Sequence, residues 1–128
     1  MNIKDLAKKY NLDPENDFWE LVRGNTKKWI ILHSASERIA TMEGIIFDVP
    51  EVHINEDHTA VAMIGKARLG DIETWSTGEA APHNCKNPHF VAMSEKRLRG
   101  RLILKLIEAY QYGIYSEDEA DAFRRTDK

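Results

Sequence analysis

A long stretch of helical periodicity in the last third of the chain constrains the fold most strongly. Apolar residues recur there with a period of 3.6, and Leu98, Leu102 and Leu106 lie along one face. The pattern predicts a helix over residues 89–111, because Gly113 then supplies the residue type that commonly ends helices. A helix with one apolar face needs a second layer to cover it, so the rest of the chain must supply that layer.

The segments before this helix have the pattern of strands. Apolar and β-branched residues dominate residues 45–47, 52–54, 59–64 and 72–77, and turn-forming residues separate these segments. The Gly-Asp pair at residues 70–71 fits a tight hairpin. We therefore expect an antiparallel meander.

The stripe on the long helix is expected to pack on this meander. Alternate strand residues such as Val61, Met63 and Trp75 would meet the leucines of the stripe. The cationic face of the helix would then point away from the sheet.

The N-terminal part of the chain predicts shorter elements. Residues 3–10 have the length and composition of two helical turns. Residues 18–22 and 29–32 are rich in aromatic and aliphatic side chains, and the turn residues 24–26 lie between them, which favours a hairpin. A helix over residues 15–22 is the competing interpretation.

Two capping boxes mark the starts of further helices. Ser34, with Glu37 three residues later, predicts a helix over residues 35–43. The same spacing from Ser116 predicts a short acidic helix over residues 116–125. Its carboxylates are expected to face a basic surface, with a solvated helix as the alternative.

These elements predict an α+β fold in which an antiparallel sheet of three to five strands packs against one long C-terminal helix. The length of 128 residues allows one domain, 1–128, with its core at about 18–113. No apolar run approaches the roughly 20 residues that span a bilayer, and we expect no membrane partner. The single cysteine, Cys85, and the absence of an apolar leader fit a cytoplasmic location.

Cationic residues line the face of the long helix opposite the leucines. Arg97, Arg101 and Lys105 follow one another at every fourth position, where like charges repel. A phosphate backbone would relieve that repulsion, whereas the alternative is an ordinary solvated face. Because the net charge is −3, any nucleic acid must bind at a local patch. The candidate nucleic-acid-binding residues are Lys86, Lys96, Arg97, Arg99, Arg101 and Lys105.

Two of the candidate features have structural alternatives. Arg99 lies towards the apolar side of the helix, where it points into a cleft or pairs with Glu95. Trp19, Trp29 and Trp75 are possible platforms for stacking unpaired bases, although tryptophan is more often part of the core.

The loop over residues 76–90 offers a metal candidate. His83, Cys85 and His89 would seed a zinc site, with His53 or His58 as a fourth ligand, but no Cys-x-x-Cys pattern is present. No phosphate-binding, dinucleotide-binding or nucleophile motif occurs, so we expect no enzyme and no cofactor. A second metal candidate, for nuclease chemistry, is the acidic set Asp48, Glu51, Glu56 and Asp57.

The order of elements resembles the core of the single-strand DNA-annealing proteins of the Rad fifty-two superfamily, in a small phage-encoded form. The likeness covers about residues 18–123 and depends on the order of a hairpin strand, a short helix, a meander and a basic helix. Its detailed echoes are Trp-Ile-Ile-Leu-His at 29–33, Glu-Gly at 43–44, Gly-Asp at 70–71, Gly-Glu-Ala at 78–80, Ala-Met-Ser-Glu-Lys-Arg at 92–97 and Tyr-Ser-Glu-Asp-Glu-Ala-Asp at 115–121.

This resemblance implies a protein that binds and anneals single-stranded DNA in phage recombination or replication. It also implies a homo-oligomer, either a ring or a filament. One alternative is a small phage protein of the same fold that binds a host protein, as an inhibitor of defence or repair. The third is a metal-dependent enzyme.

Overall fold

The structure, a computed structural model, describes residues 2–86 and 88–120 and confirms the predicted α+β class. The long helix lies near the C-terminal end, as expected. The elements are α1 Ile3–Tyr10, β1 Phe18–Arg23, β2 Thr26–Ile31, α2 His33–Glu43, β3 Ile46–Phe47, β4 Glu51–Ile54, β5 Val61–Leu69, β6 Ile72–Ala80, α3 Phe90–Leu106 and β7 Ile114–Ser116.

The first sheet has the strand order β1-β2-β7. Strands β1 and β2 form the predicted antiparallel hairpin, with Gly24 at a positive φ in its turn, so the helix over residues 15–22 is wrong. Strand β7 pairs with β2 in parallel, Trp29 opposite Ile114. This parallel strand was not predicted, because three residues are too few to show a periodicity.

The second sheet has β5 in its middle. Strand β6 pairs along the whole of β5 through the predicted tight hairpin at Gly70. Strands β3 and β4 share the other side of β5, and the pairing register shifts by one residue between them: Ile46 lies opposite Arg68, whereas Glu51 lies opposite Ile64. The two strands therefore act as one bulged strand, which completes the predicted meander.

Helix α3 packs on the second sheet with its leucine stripe inward. Leu98, Leu102 and Leu106 are buried in one cluster with Val61 and Met63, as predicted. The third expected strand contact, Trp75, is wrong. Its side chain is 61% exposed because the residues of β6 that face the helix are the alternate set, which includes Ser76 and Gly78.

Two predicted helix boundaries differ from the structure. Helix α3 ends at Leu106, because Glu108 adopts a left-handed conformation with φ 59°. A short 3-10 helix, Ala109–Tyr112, follows, and Gly113 ends that turn. Helix α2 begins at His33 with Leu32 as its N-cap, and no side chain caps it.

The two predicted capping boxes have different outcomes. The one at Ser34 is wrong, because the Glu37 carboxylate pairs with Arg99 of α3 and with the side chain of His33, and no side chain caps the start of α2. At the second, the backbone N–H of Ser116 donates to Oε1 of Glu119 at 3.1 Å, and residues 117–120 are helical. The remainder of the predicted acidic helix, residues 121–125, lies outside the described residues.

A larger core cluster joins α2, α3 and the first sheet. Ile31, Ile39, Ile103, Leu104 and Ile114 are all fully buried in it. Helix α3 thus contributes leucines to the second sheet and further aliphatic residues to the first. Within residues 2–86 and 88–120, no helix has the length and apolar character needed to cross a membrane.

Candidate nucleic-acid interface

The cationic row of α3 lies over β6, an edge strand of the second sheet. Arg97 is only 6% exposed, and its guanidinium is hydrogen-bonded to the loop and strand beneath it. Its Nη1 donates to the backbone oxygen of Glu79 at 2.6 Å, and its Nη2 donates to the backbone oxygen of Asn84 at 2.7 Å. The expectation that Arg97 belongs to an exposed row is therefore wrong.

The other two cations of the row make the same kind of contact. Arg101 Nη1 donates to the backbone oxygen of Thr77 at 2.7 Å, and Lys105 Nζ donates to that of Trp75 at 2.8 Å. With the Glu79 oxygen, these are alternate carbonyl groups along β6, which point away from β5 in an antiparallel pair. The row therefore covers the outer edge of β6 and satisfies its carbonyl groups.

Arg99 holds α3 against α2. Its Nε and Nη2 donate to the two carboxylate oxygens of Glu37 at 2.9 and 2.7 Å, and its guanidinium lies 3.9 Å from the ring centroid of Phe47. These hydrogen bonds lower the pKa of Glu37 and raise that of Arg99. Arg99 thus points neither into an open cleft nor chiefly towards Glu95.

All three candidate lysines are exposed at the surface, and Lys105 is one of them. Lys86 is exposed in the loop before α3, and Lys96 is exposed on the first half of the helix. Lys96 stands at a cleft of about 220 Å³ that is also lined by His33 and Ser36. Burial at this place lowers the pKa of His33 below the usual histidine value.

The described part of the acidic segment after β7, residues 117–120, lies against basic and polar groups, as expected. Asp118 Oδ2 accepts from Nη2 of Arg101 at 3.2 Å, and Glu117 Oε1 accepts from the backbone N–H of His33 at 2.7 Å. Ala120 anchors the segment in the core of the first sheet.

Among the described residues, the most exposed aromatic platform is Trp75. Lys66 lies directly opposite it on β5, and Lys105 Nζ stands 5.5 Å from its ring centroid. We call Lys66, Trp75 and Lys105 the Trp75 surface. Trp19 and Trp29 are half-buried by comparison. Lys66 is not among the predicted site residues. The signal that could have found it is the alternation of apolar and polar residues along β5, which places Lys66 on the exposed face.

The metal candidates of the sequence are not gathered into a site among the described residues. Cys85 is buried, whereas His83 and His89 are exposed. His53 instead pairs with Glu51, at 3.2 Å between Nε2 and Oε2. Across residues 2–86 and 88–120, no group of three or more His, Cys, Asp or Glu side chains is arranged to hold a metal ion.

Comparison of the chain with protein-family models, curated proteins and solved structures gives no match. The resemblance to the annealing proteins therefore stays a prediction.

Proposed function

We propose that the chain binds single-stranded DNA, with the Trp75 surface as the place where a base stacks. The observation that carries this proposal is the indole of Trp75, which is 61% exposed on an open sheet face. An unpaired base stacking on such a ring contributes about 1–3 kcal/mol and does so for any sequence.

The lysines around Trp75 supply the complementary charge. Lys66 is the cross-strand neighbour of Trp75, and Lys105 Nζ lies over its ring, so a strand that stacks on Trp75 passes close to both lysines. The ion pair between Glu73 and Lys66 is weak, because the carboxylate is 3.9 Å from Lys66 Nζ and both side chains are more than half exposed. Lys66 therefore remains available to a phosphate group. Lys86 and Lys96, both exposed, are candidates for further phosphate contacts.

The biological role follows from the resemblance. We infer a protein of phage recombination or replication that anneals single strands in the host cytoplasm and works as a homo-oligomer, in a ring or a filament. This role needs neither a metal nor an enzymatic step.

The stacking contact is tested by oligothymidylate binding at about 50 mM salt, measured by fluorescence anisotropy. Trp75→Ala should weaken binding about tenfold, because it removes one base-stacking contact. Trp75→Phe should retain most of the affinity, and Trp29→Phe serves as a control for a half-buried tryptophan. Equal affinity of Trp75→Ala and the unaltered chain would contradict the proposal, and no binding by the unaltered chain would favour a protein partner instead.

A further inference from the structure

The two edge strands of the second sheet differ in whether side chains of the helix cover them. The edge at β6 is covered by side chains of α3, which bond to its outward carbonyl groups. The edge at β4, Glu51–Ile54, has all four side chains exposed, and no described strand pairs with its outer side. An open strand edge is a template for pairing with another strand.

This open edge is also apolar on one face. Val52 and Ile54 lie opposite Met63 and Val61, so their side chains are on the face of the sheet that α3 covers further in. They are 43% and 42% exposed because α3 packs chiefly on β5 and β6. Val49, just before the strand, is 95% exposed. Pairing at this edge would extend the existing core rather than create a new one.

The backbone of β4 presents its unpaired groups at the same two residues. Asn55 donates its N–H to the oxygen of Ala60, so its backbone faces β5. Because backbone direction alternates along an antiparallel strand, His53 also faces β5, whereas Val52 and Ile54 direct N–H and C=O outward. Two donors and two acceptors are therefore available to a further strand.

We propose that a second copy of this chain occupies the edge, with β4 pairing antiparallel to β4 about a two-fold axis at His53. This register places Val52 opposite Ile54 of the second copy, and each such pair exchanges two hydrogen bonds through its outward groups. Side chains that lie opposite one another share a face, so the two valines and two isoleucines form one apolar cluster.

The strand is self-complementary, which is why a second copy fits it better than an unrelated peptide. In a two-fold interface, when one residue contacts a second residue of the other copy, the second residue also contacts the first across the interface. Strand β4 meets this requirement because it has an apolar residue on each side of His53. On the opposite face, Glu51 is already paired with His53, so pairing of the two copies places no unpaired carboxylate of this strand near the axis. A two-fold contact alone closes at two chains, so the ring or filament proposed above needs a second, different contact that joins such dimers.

The test is the mass in solution, by light scattering after size exclusion, over a range of concentrations. We expect about twice the chain mass of 14.7 kDa for the unaltered protein. Val52→Lys should give a monomer, because it places two lysines beside the axis. Ile64→Lys is the matched control: it is equally exposed and lies on the other face of the same sheet, and it should remain a dimer.

Folding of each variant is checked by circular dichroism and thermal unfolding. A second measurement reads the edge directly: the amide protons of Val52 and Ile54 should become protected from exchange as the concentration rises. A monomer at about 100 μM, or a dimer that Val52→Lys leaves intact, would overturn the proposal. Neither result depends on whether the chain binds DNA.

Discussion

The positively charged residues of α3 have two different roles on one helix. Arg97 is buried and bonded to backbone oxygens, whereas its neighbour Lys96 is exposed. Burying a charge is costly unless it is hydrogen-bonded. The two terminal nitrogens of Arg97 have such bonds, whereas its buried Nε has no partner among the described residues, so Arg97 belongs to the packing of the loop on β6. Positively charged residues on a helix are thus not equivalent candidates for phosphate contacts.

Replacing Arg97 with Ala should lower the free energy of unfolding by about 3 kcal/mol. The change leaves the oxygens of Glu79 and Asn84 without their charged donor, and hydrogen bonds to charged groups contribute about 1.5–3 kcal/mol each. Lys96→Ala is the matched control, with an expected change within about 0.5 kcal/mol. Urea unfolding measures both, and equal stabilities of the two variants would contradict the structural role of Arg97.

The burial of His33 predicts a pH dependence of stability. Because its pKa is lowered in the folded state, the unfolded chain takes up the proton first as the pH falls below about 6.5. The free energy of unfolding should therefore decrease from pH 7.5 towards pH 5. Glu37 stays ionised in this window, because the hydrogen bonds from Arg99 lower its pKa. In His33→Gln the free energy of unfolding should change less steeply with pH than in the unaltered chain. An identical pH dependence in the two proteins would show that the pKa of His33 is the same in the folded and unfolded states.

At the scale of elements, the contact between α3 and β6 is unusually close. A Cβ at Gly78 would lie 2.3 Å from the backbone oxygen of Ser94 and 2.6 Å from the backbone nitrogen of Leu98. The hydroxyl of Ser94 donates to the oxygen of Gly78 at 2.7 Å. The helix can lie this low on the sheet only because the residue beneath it has no side chain.

Gly78→Ala should therefore destabilise the protein by more than about 2 kcal/mol, because backbone rather than a flexible side chain must move. Gly100→Ala is the control: its Cβ would meet no atom closer than 3.7 Å, and alanine is favoured in a helix by about 0.5–1 kcal/mol. In thermal unfolding, the midpoint should be lower than that of the unaltered chain for Gly78→Ala and higher for Gly100→Ala. Two variants of similar stability would mean that α3 does not sit on β6 as described.

Elements with a local period could be predicted from the sequence, and contacts between distant elements could not. The leucine stripe of α3 and the hairpin at Gly70 carry their signals within a few residues. Strand β7 has no such signal, because its partner lies more than 80 residues earlier in the chain. The leucine stripe indicates which side of α3 meets the sheet, but it does not show that the long side chains of the opposite row curl over the edge of β6. The face of Trp75 depended on a strand register that alternation alone left open.

At the scale of the molecule, the acidic segment and the basic row are in contact. Asp118 accepts from Arg101, whose backbone partner, Thr77, lies two residues from Trp75 on β6. A carboxylate at this place competes with any phosphate that approaches Arg101. The acidic segment thus lowers the local charge available to DNA.

Asp118→Asn should strengthen binding of oligothymidylate at low salt, and the gain should fade near 0.15 M salt, where the Debye length is about 8 Å. The substitution is preferable to deletion after Gly113, because deletion would remove β7 with the fully buried Ile114. Glu56→Gln, an exposed change of the same charge in a distant loop, is the control. If Glu56→Gln strengthens binding as much as Asp118→Asn, only net charge is involved.

The most direct test of the central claim, that the Trp75 surface binds single-stranded DNA, is the salt dependence of oligothymidylate affinity. The logarithm of the association constant should fall linearly with the logarithm of salt concentration, because bound lysines release counterions from the strand. The double variant Lys66→Ala and Lys105→Ala should have a slope shallower by about 1.4, at about 0.7 for each lost contact with single strands. An unchanged slope in a folded double variant would place the DNA elsewhere on the protein and contradict this account.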